Sequence, residues 1–179
     1  MERLQRSAVM LSLIERLRAH GSWCGETHIQ KATFFLKALL EVPLGYDFIL
    51  YKHGPYSFDL TEEITAMRAD ALIKLQPMNP YGPSYTPGEG YALIKQKFPK
   101  TIEKYSKKVE FVASKLGPNN VTSLEKLATA LYVTLHEHEC TVEDRARCIT
   151  GLKPHISYED ALEAISSVDL IIQESNQVH

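Results

Sequence analysis

The groups from which chemistry could be built in this 179-residue chain are seven histidines, three cysteines and a run of lysines. The densest cluster is His136-Glu137-His138-Glu139-Cys140. Two histidines and a thiol suggest zinc, which takes nitrogen and sulfur ligands in a tetrahedral set. Alternate positions on a helix point about 200° apart, however, so His136 and His138 share no ion unless the segment is extended. No CxxC or HxxxH pair stands elsewhere to complete a site. The segment therefore reads as the polar end of a helix, and no metal is expected. His53 is the other candidate, as a general base, but no Ser, Cys or carboxylate partner is specified by its neighbours. Cys24 beside Trp23 reads as packing, and Gly88-Glu89-Gly90 is too short to cradle a phosphate. Neither an enzyme nor a cofactor is expected.

Two sets of residues remain that could bind rather than react. The lysines Lys95, Lys97, Lys100, Lys104, Lys107, Lys108 and Lys115 fall away from the apolar stripe Ile102, Tyr105, Val109, Val112 and Leu116. They could meet phosphates, each contact releasing counterions. Glu103 and Glu110 dilute the patch and it holds no arginine, the side chain that reads bases through two hydrogen bonds. A solvated helix face explains it equally. The second set is Glu26, His28, Gln30, Lys31, Thr33 and Lys37, expected on the exposed side of a helix over 27–40, with the turn His53-Gly54-Pro55-Tyr56-Ser57. Only Lys31 and Lys37 are basic in that helix, which is thin for a DNA recognition element. In the turn, Tyr56 could anchor a partner; alternatively Gly-Pro simply turns a strand into a helix capped by Ser57 or Asp59.

Helical and extended periodicities supply the elements that would position these residues. Met10, Leu13, Ile14 and Leu17 give a first helix ending at Gly21, and a second follows Gly25 with Thr27 and Gln30 at capping-box spacing. Residues 46–53 predict a strand, Gly54-Pro55 a turn, and Leu60, Ile64, Met67 and Ala71 a third helix. Leu72–Leu75 and Tyr85–Pro87 predict a hairpin around the polar loop 79–83, followed by a helix after Gly88-Glu89-Gly90. Three helices closed by a hairpin suggest a winged-helix-like domain over residues 1–98. Residues 99–179 predict a helical extension packed on it, since about sixty residues make a marginal core alone. Its helices start at Thr122/Glu125, Thr141/Asp144 and Ser157/Asp160, each pair at capping spacing, and Gly117-Pro118, Gly151 and Pro154 mark stops.

Composition fits a globular chain, with 44 % apolar and 23 % charged residues. No apolar run reaches the roughly 18 residues of a membrane span, the start of the chain lacks the pattern of a secretory signal, and the cysteines are too few for a disulfide framework. A cytoplasmic location without membrane contact is expected. Residues 1–118 carry sixteen Lys/Arg and twelve Asp/Glu, a net of +4, whereas residues 119–179 carry four and ten, a net of −6. Two surfaces with different partners, or a merely solvated acidic half, account for that split. The acidic, leucine-rich last helices also leave a homodimer open.

The phrases Ile29-Gln30-Lys31-Ala32-Thr33-Phe34-Phe35-Leu36 and His53-Gly54-Pro55-Tyr56-Ser57-Phe58-Asp59-Leu60 resemble, in kind and spacing, a helix and a Gly-Pro turn of the Panacea-domain (SocA-like antitoxin) and YwgA-like proteins. The likeness covers roughly residues 5–95; Phe34-Phe35 departs from it, and the last third resembles no family. It implies a winged-helix-like, non-enzymatic module that acts through protein contacts, often to neutralise or deliver a toxin. The expectation is thus a mainly α chain with a small β-hairpin that binds a protein partner through His28, Lys31, Lys37, His53, Gly54, Pro55 and Tyr56. The alternative is a DNA-binding regulator using Lys31, Lys37, Lys97, Lys100, Lys104, Lys107 and Lys108, with a wing near Asn79–Ser84.

Overall fold

Helix α1 (Arg3–Ala19) is buried on every side through its middle turns, and the fold follows from that. Ser7 through Ile14 and Leu17 are all buried, so the helix is the centre of the core rather than a surface helix with one greasy stripe. The structure is a computed structural model and describes residues 1–77, 82–136 and 141–178. Glu2 and Gln5 form a capping box at the start of α1. Helix α2 (Glu26–Ala38) packs against α1 and starts on Gly25, not on the expected Thr27/Gln30 box; no side chain caps it.

Next comes a stretch in which Leu40, Val42, Leu44 and Tyr46 are buried at alternate positions. It leads into strand β1 (Ile49–Tyr51), which pairs antiparallel with β2 (Gly54–Tyr56) in the register Ile49↔Tyr56, Leu50↔Pro55 and Tyr51↔Gly54. The single strand expected over 46–53 is therefore a hairpin. Its turn is Lys52-His53, and Gly54-Pro55 belongs to the second strand. Gly54 has φ +82°, a left-handed conformation that glycine adopts without strain. Helix α3 (Phe58–Ala69) starts on Ser57, whose hydroxyl accepts the Leu60 N–H.

The second hairpin is formed as expected. Strands β3 (Ile73–Gln76) and β4 (Ser84–Pro87) pair antiparallel from Ile73↔Pro87 to Gln76↔Ser84. Residues 78–81, most of the expected wing loop, lie outside the described residues. Strand β4 is tied to the end of α1: the Tyr85 N–H donates to the Cys24 carbonyl and Arg18 donates to Ser84 Oγ.

Helices α4 (Tyr91–Lys97) and α5 (Pro99–Leu116) follow, and α5 runs along α1. Helix α6 (Val121–His136) packs on α2, α5's neighbour, and on β2. It is entered through Asn120, whose side-chain oxygen accepts the Ser123 N–H, and not through Thr122/Glu125. Helices α7 (Val142–Leu152) and α8 (Tyr158–Ser175) start on Thr141 and Ser157, each accepting the N–H of the expected aspartate. One buried core runs from Ala8 to Ile171, with no seam at residue 98. Among the described residues the chain is mainly α with two small antiparallel hairpins. No helix among the described residues is long and apolar enough to cross a membrane.

Candidate interaction site at the first hairpin

Two consecutive residues of α2 hold the first hairpin in place. Gln30 is 1 % exposed and takes both backbone groups of Ser57: its Nε2 donates to the Ser57 carbonyl (2.9 Å) and its Oε1 accepts the Ser57 N–H (3.0 Å). Lys31 is 2 % exposed and its Nζ donates to the Pro55 carbonyl at 2.8 Å. The phrases around Gln-Lys and around Gly-Pro thus meet in space, and each buried backbone group of the turn gains a partner it would otherwise lack. Thr61, one turn into α3, accepts from Gln30 Nε2 (3.0 Å) and donates to Glu26 Oε1 (3.0 Å); Tyr56 OH donates to the same Glu26 oxygen (3.1 Å).

From the other side the hairpin is held by residues of the last helices. Lys153, at the end of α7, donates to the Lys52 carbonyl at 2.7 Å and also to the Tyr51 carbonyl. Glu125 of α6 is buried, with Oε2 3.5 Å from His53 Nδ1 and Oε1 3.0 Å from His155 Nε2. Gly54 is pressed against α6: a Cβ there would sit 3.0 Å from Thr129 Oγ1 and 3.5 Å from the Glu125 carbonyl. Burial depresses Lys31 to about 8, with Glu125 opposing the shift and Lys153 adding to it. Burial also lowers Lys153 and raises Tyr56.

The outer surface of the hairpin is apolar. Ile49, Tyr51 and Phe58 are 50 %, 52 % and 54 % exposed. Tyr51, Tyr56 and Phe58 form a ring cluster with centroids 5.1–5.8 Å apart. Beside it opens a pocket of about 260 Å³ walled by Tyr51, Tyr56, Gly54 and Gln30, with Lys31, Lys52, His53, Glu26 and Thr27 contributing polar groups.

The residues singled out from sequence divide accordingly. Lys31, His53, Gly54 and Tyr56 line one pocket, and Pro55 is bound to Lys31. The exposed placement expected for His28, Gln30, Lys31 and Thr33 is overturned, since all four are buried. Helix α2 is packed between α1, α5, α6 and β2, leaving little of it in water. His28 is turned toward Asn119, and burial lowers its pKa. Lys37 lies apart, paired with Asp47 at 3.1 Å. Buried Lys31 is thereby removed from any outer surface that could track a duplex backbone.

Of the remaining DNA candidates, those on α4 and α5 differ in exposure and pairing. Lys97, Lys100, Lys104 and Lys107 are exposed, with Lys97 over the Phe98 ring and Lys104 over the Tyr105 ring. Lys95 pairs with Glu15, Lys108 donates to the Leu40 carbonyl, and Lys115 pairs with Glu174. Lys100 and Lys104 sit beside Gln5, whereas β4 is held by Arg18. These points are roughly 20 Å apart along α1 at the helical rise per residue. Ser84, counted with the wing, is buried under Trp23, whose carbonyl accepts its hydroxyl. The helix that precedes the second hairpin is α3, not α2, and it exposes Asp59 and Glu62 against one basic side chain, Arg68.

His136 is exposed, stacks on Tyr132 and contacts its carbonyl; His138 and Cys140 lie outside the described residues. Among the described residues no group of three or more His, Cys, Asp and Glu could hold a metal ion. Glu125, Thr129, Lys153 and His155 escaped the sequence reading. Only the position of Glu125 carried a signal, and its spacing from Thr122 suggested a cap instead. Compared with described protein families and with curated proteins, the chain matches none.

Proposed function

We propose that this chain is a non-enzymatic interaction protein that docks a protein partner on the first hairpin, in the manner the Panacea and YwgA-like resemblance implies. The observation that carries the reading is the exposed set Ile49, Tyr51 and Phe58, packed on half-buried Tyr56, beside a polar-floored pocket. Tyrosine and phenylalanine give large contact area for few rotatable bonds, and such residues dominate interface energies. The hairpin beneath them is anchored by Gln30, Lys31 and Lys153, so docking orders little additional chain. A toxin is the partner class the resemblance suggests. Binding to duplex DNA has weaker support, because α3 exposes more acid than base and the lysines lie away from β4.

The test is photocrosslinking in cells, with a benzophenone side chain placed at position 51 or, separately, at position 104. A discrete protein adduct is expected from position 51 and none from position 104. Tyr51→Ala with Phe58→Ala should cut binding of the crosslinked partner by about a hundredfold, as loss of two aromatic anchors implies, while costing about 1–3 kcal/mol of stability through the lost ring contacts. Adducts from position 104 alone would sink the reading. So would duplex binding that weakens steeply between roughly 50 and 200 mM salt and is abolished by Lys100→Glu/Lys104→Glu.

A further inference from the structure

An ammonium group offers three hydrogens, and Lys31 uses one of them, on the Pro55 carbonyl. Glu125 acts on it electrostatically without a hydrogen bond, and Lys153 repels it. A buried donor without an acceptor is destabilising, the more so when it is charged. Yet this ammonium belongs to a side chain that lines an open pocket of about 260 Å³. The larger groove between α6 and α8, about 400 Å³, differs in this respect. Its lysines are already matched, Lys115 with Glu174 and Lys126 with Asp160.

The charge around the pocket selects the occupant. Lys52 stands at its rim beside His53, whose Nδ1 already faces Glu125 at 3.5 Å, and the uncapped first turn of α2, with its positive dipole end, supplies Glu26 and Thr27. Glu26 opposes an anion, but its Oε1 is already occupied by Tyr56 OH and Thr61. The volume falls below the roughly 300 Å³ at which small-molecule sites begin, which suits one side chain. Tyr51 and Tyr56 belong to both the pocket wall and the aromatic cluster. An occupant therefore continues directly onto an apolar surface.

We infer that the pocket receives one acidic side chain of the docked partner, its carboxylate accepting from Lys31 Nζ, with apolar residues next to it lying over Tyr51 and Phe58. This rests on the partner-docking reading, and its test is independent of any partner. The full chain carrying ¹³C-labelled lysine is titrated with N-acetylglutamate α-amide, with the N-acetylglutamine amide as neutral isostere and with N-acetylglycine as a mimic of a chain terminus. The glutamate probe should shift the Lys31 ε-carbon resonance saturably and move the titration midpoint of Lys31 upward, because a bound anion favours the ammonium form. The glutamine probe should bind at least about tenfold more weakly, the loss expected for one charge-assisted hydrogen bond. Lys52→Ala, on the exposed rim, should keep the fold and weaken the glutamate probe severalfold. Equal shifts from the glutamate and glutamine probes, or none from either, would overturn the assignment. Binding of N-acetylglycine without the glutamate probe would overturn it in favour of a chain terminus. A carboxylate that binds while crosslinking at position 51 fails would sink the docking reading and leave the anion site standing.

Discussion

Replacing Lys31 by alanine is expected to lower the unfolding free energy by about 3–5 kcal/mol, and replacing it by methionine by about 1–3 kcal/mol. Alanine removes the ammonium and also the three stem carbons beyond Cβ, leaving a cavity between α2, β2 and α6. Methionine fills most of that space but leaves the Pro55 carbonyl without its donor and removes one of the two buried cations that act on Glu125. Urea unfolding monitored by circular dichroism measures both. An alanine variant no less stable than the methionine one would mean that the stem contributes nothing to packing.

The same pair of proteins gives a pH test. Lys31 has its folded pKa near 8, below the ordinary 10.5, so between these values the unfolded chain holds more protons than the folded one. Stability contributed by this group therefore rises with pH across that window, and below pH 8 the cost of burying the charge is present in full. The whole effect is about 3 kcal/mol. Cys24 and Tyr46, each pushed up to about 12 by burial, act oppositely, from about pH 9 and pH 10 upward. Subtracting the Lys31→Met curve removes those contributions. The wild-type minus variant difference should rise between pH 8 and 10 by at most about 1.4 kcal/mol per pH unit. A flat difference would place the ammonium in water.

Gly88→Ala should destabilise the chain by about 3 kcal/mol, the upper part of the overpacking range. A Cβ at position 88 would stand 2.2 Å from the Ala71 carbonyl oxygen and 2.9 Å from the Leu72 carbonyl carbon. Both are backbone atoms and neither can swing aside. The glycine also donates its N–H to Leu72, and Gly90 donates to Ala71, so moving one strand end breaks the seam between α3, β3 and α4. At this chain length the loss corresponds to a melting temperature lower by about 6–12 °C. Gly151→Ala supplies the contrast. Nothing lies within 4 Å of that Cβ, and the residue is inside α7, so the change should stabilise by up to about 1 kcal/mol. Equal melting temperatures for the two variants would show that the Gly88 contact is not tight.

Most elements were legible because their signals are local. Ser57, Thr141 and Ser157 announce helix starts through hydroxyls that accept an N–H three residues on, and all three do so. The second hairpin was visible from its turn formers. The first was missed because its turn is Lys52-His53, neither a turn former, and the residue that makes it possible is the glycine after it. Exposure in α2 was misjudged for a different reason. Gln30, Lys31 and Thr33 are polar, and polarity ordinarily means water, but these three serve backbone and side-chain groups inside a helix covered on several sides. Of the site, the Gly-Pro turn and its lysine were visible. Glu125 and Lys153 lie about seventy to a hundred residues beyond the turn and meet it only through the folding of α6 to α8.

The grip of Lys153 on two carbonyls of the first hairpin also bears on how this chain can be cut and inherited. A gene fragment ending at codon 98 would encode α1 and α2 with their α5- and α6-facing sides open to water, and a hairpin whose Lys52 and Tyr51 carbonyls have lost their donor. Expressed alone, that half should expose those apolar faces and be recovered as an insoluble product. Recombination that swaps the first ninety-eight residues for a relative's must therefore carry the last helices with them, or else rebuild a lysine and a carboxylate in the same places. The two halves therefore fold as one unit, although the exposed Tyr51 and Phe58 belong to the first of them alone.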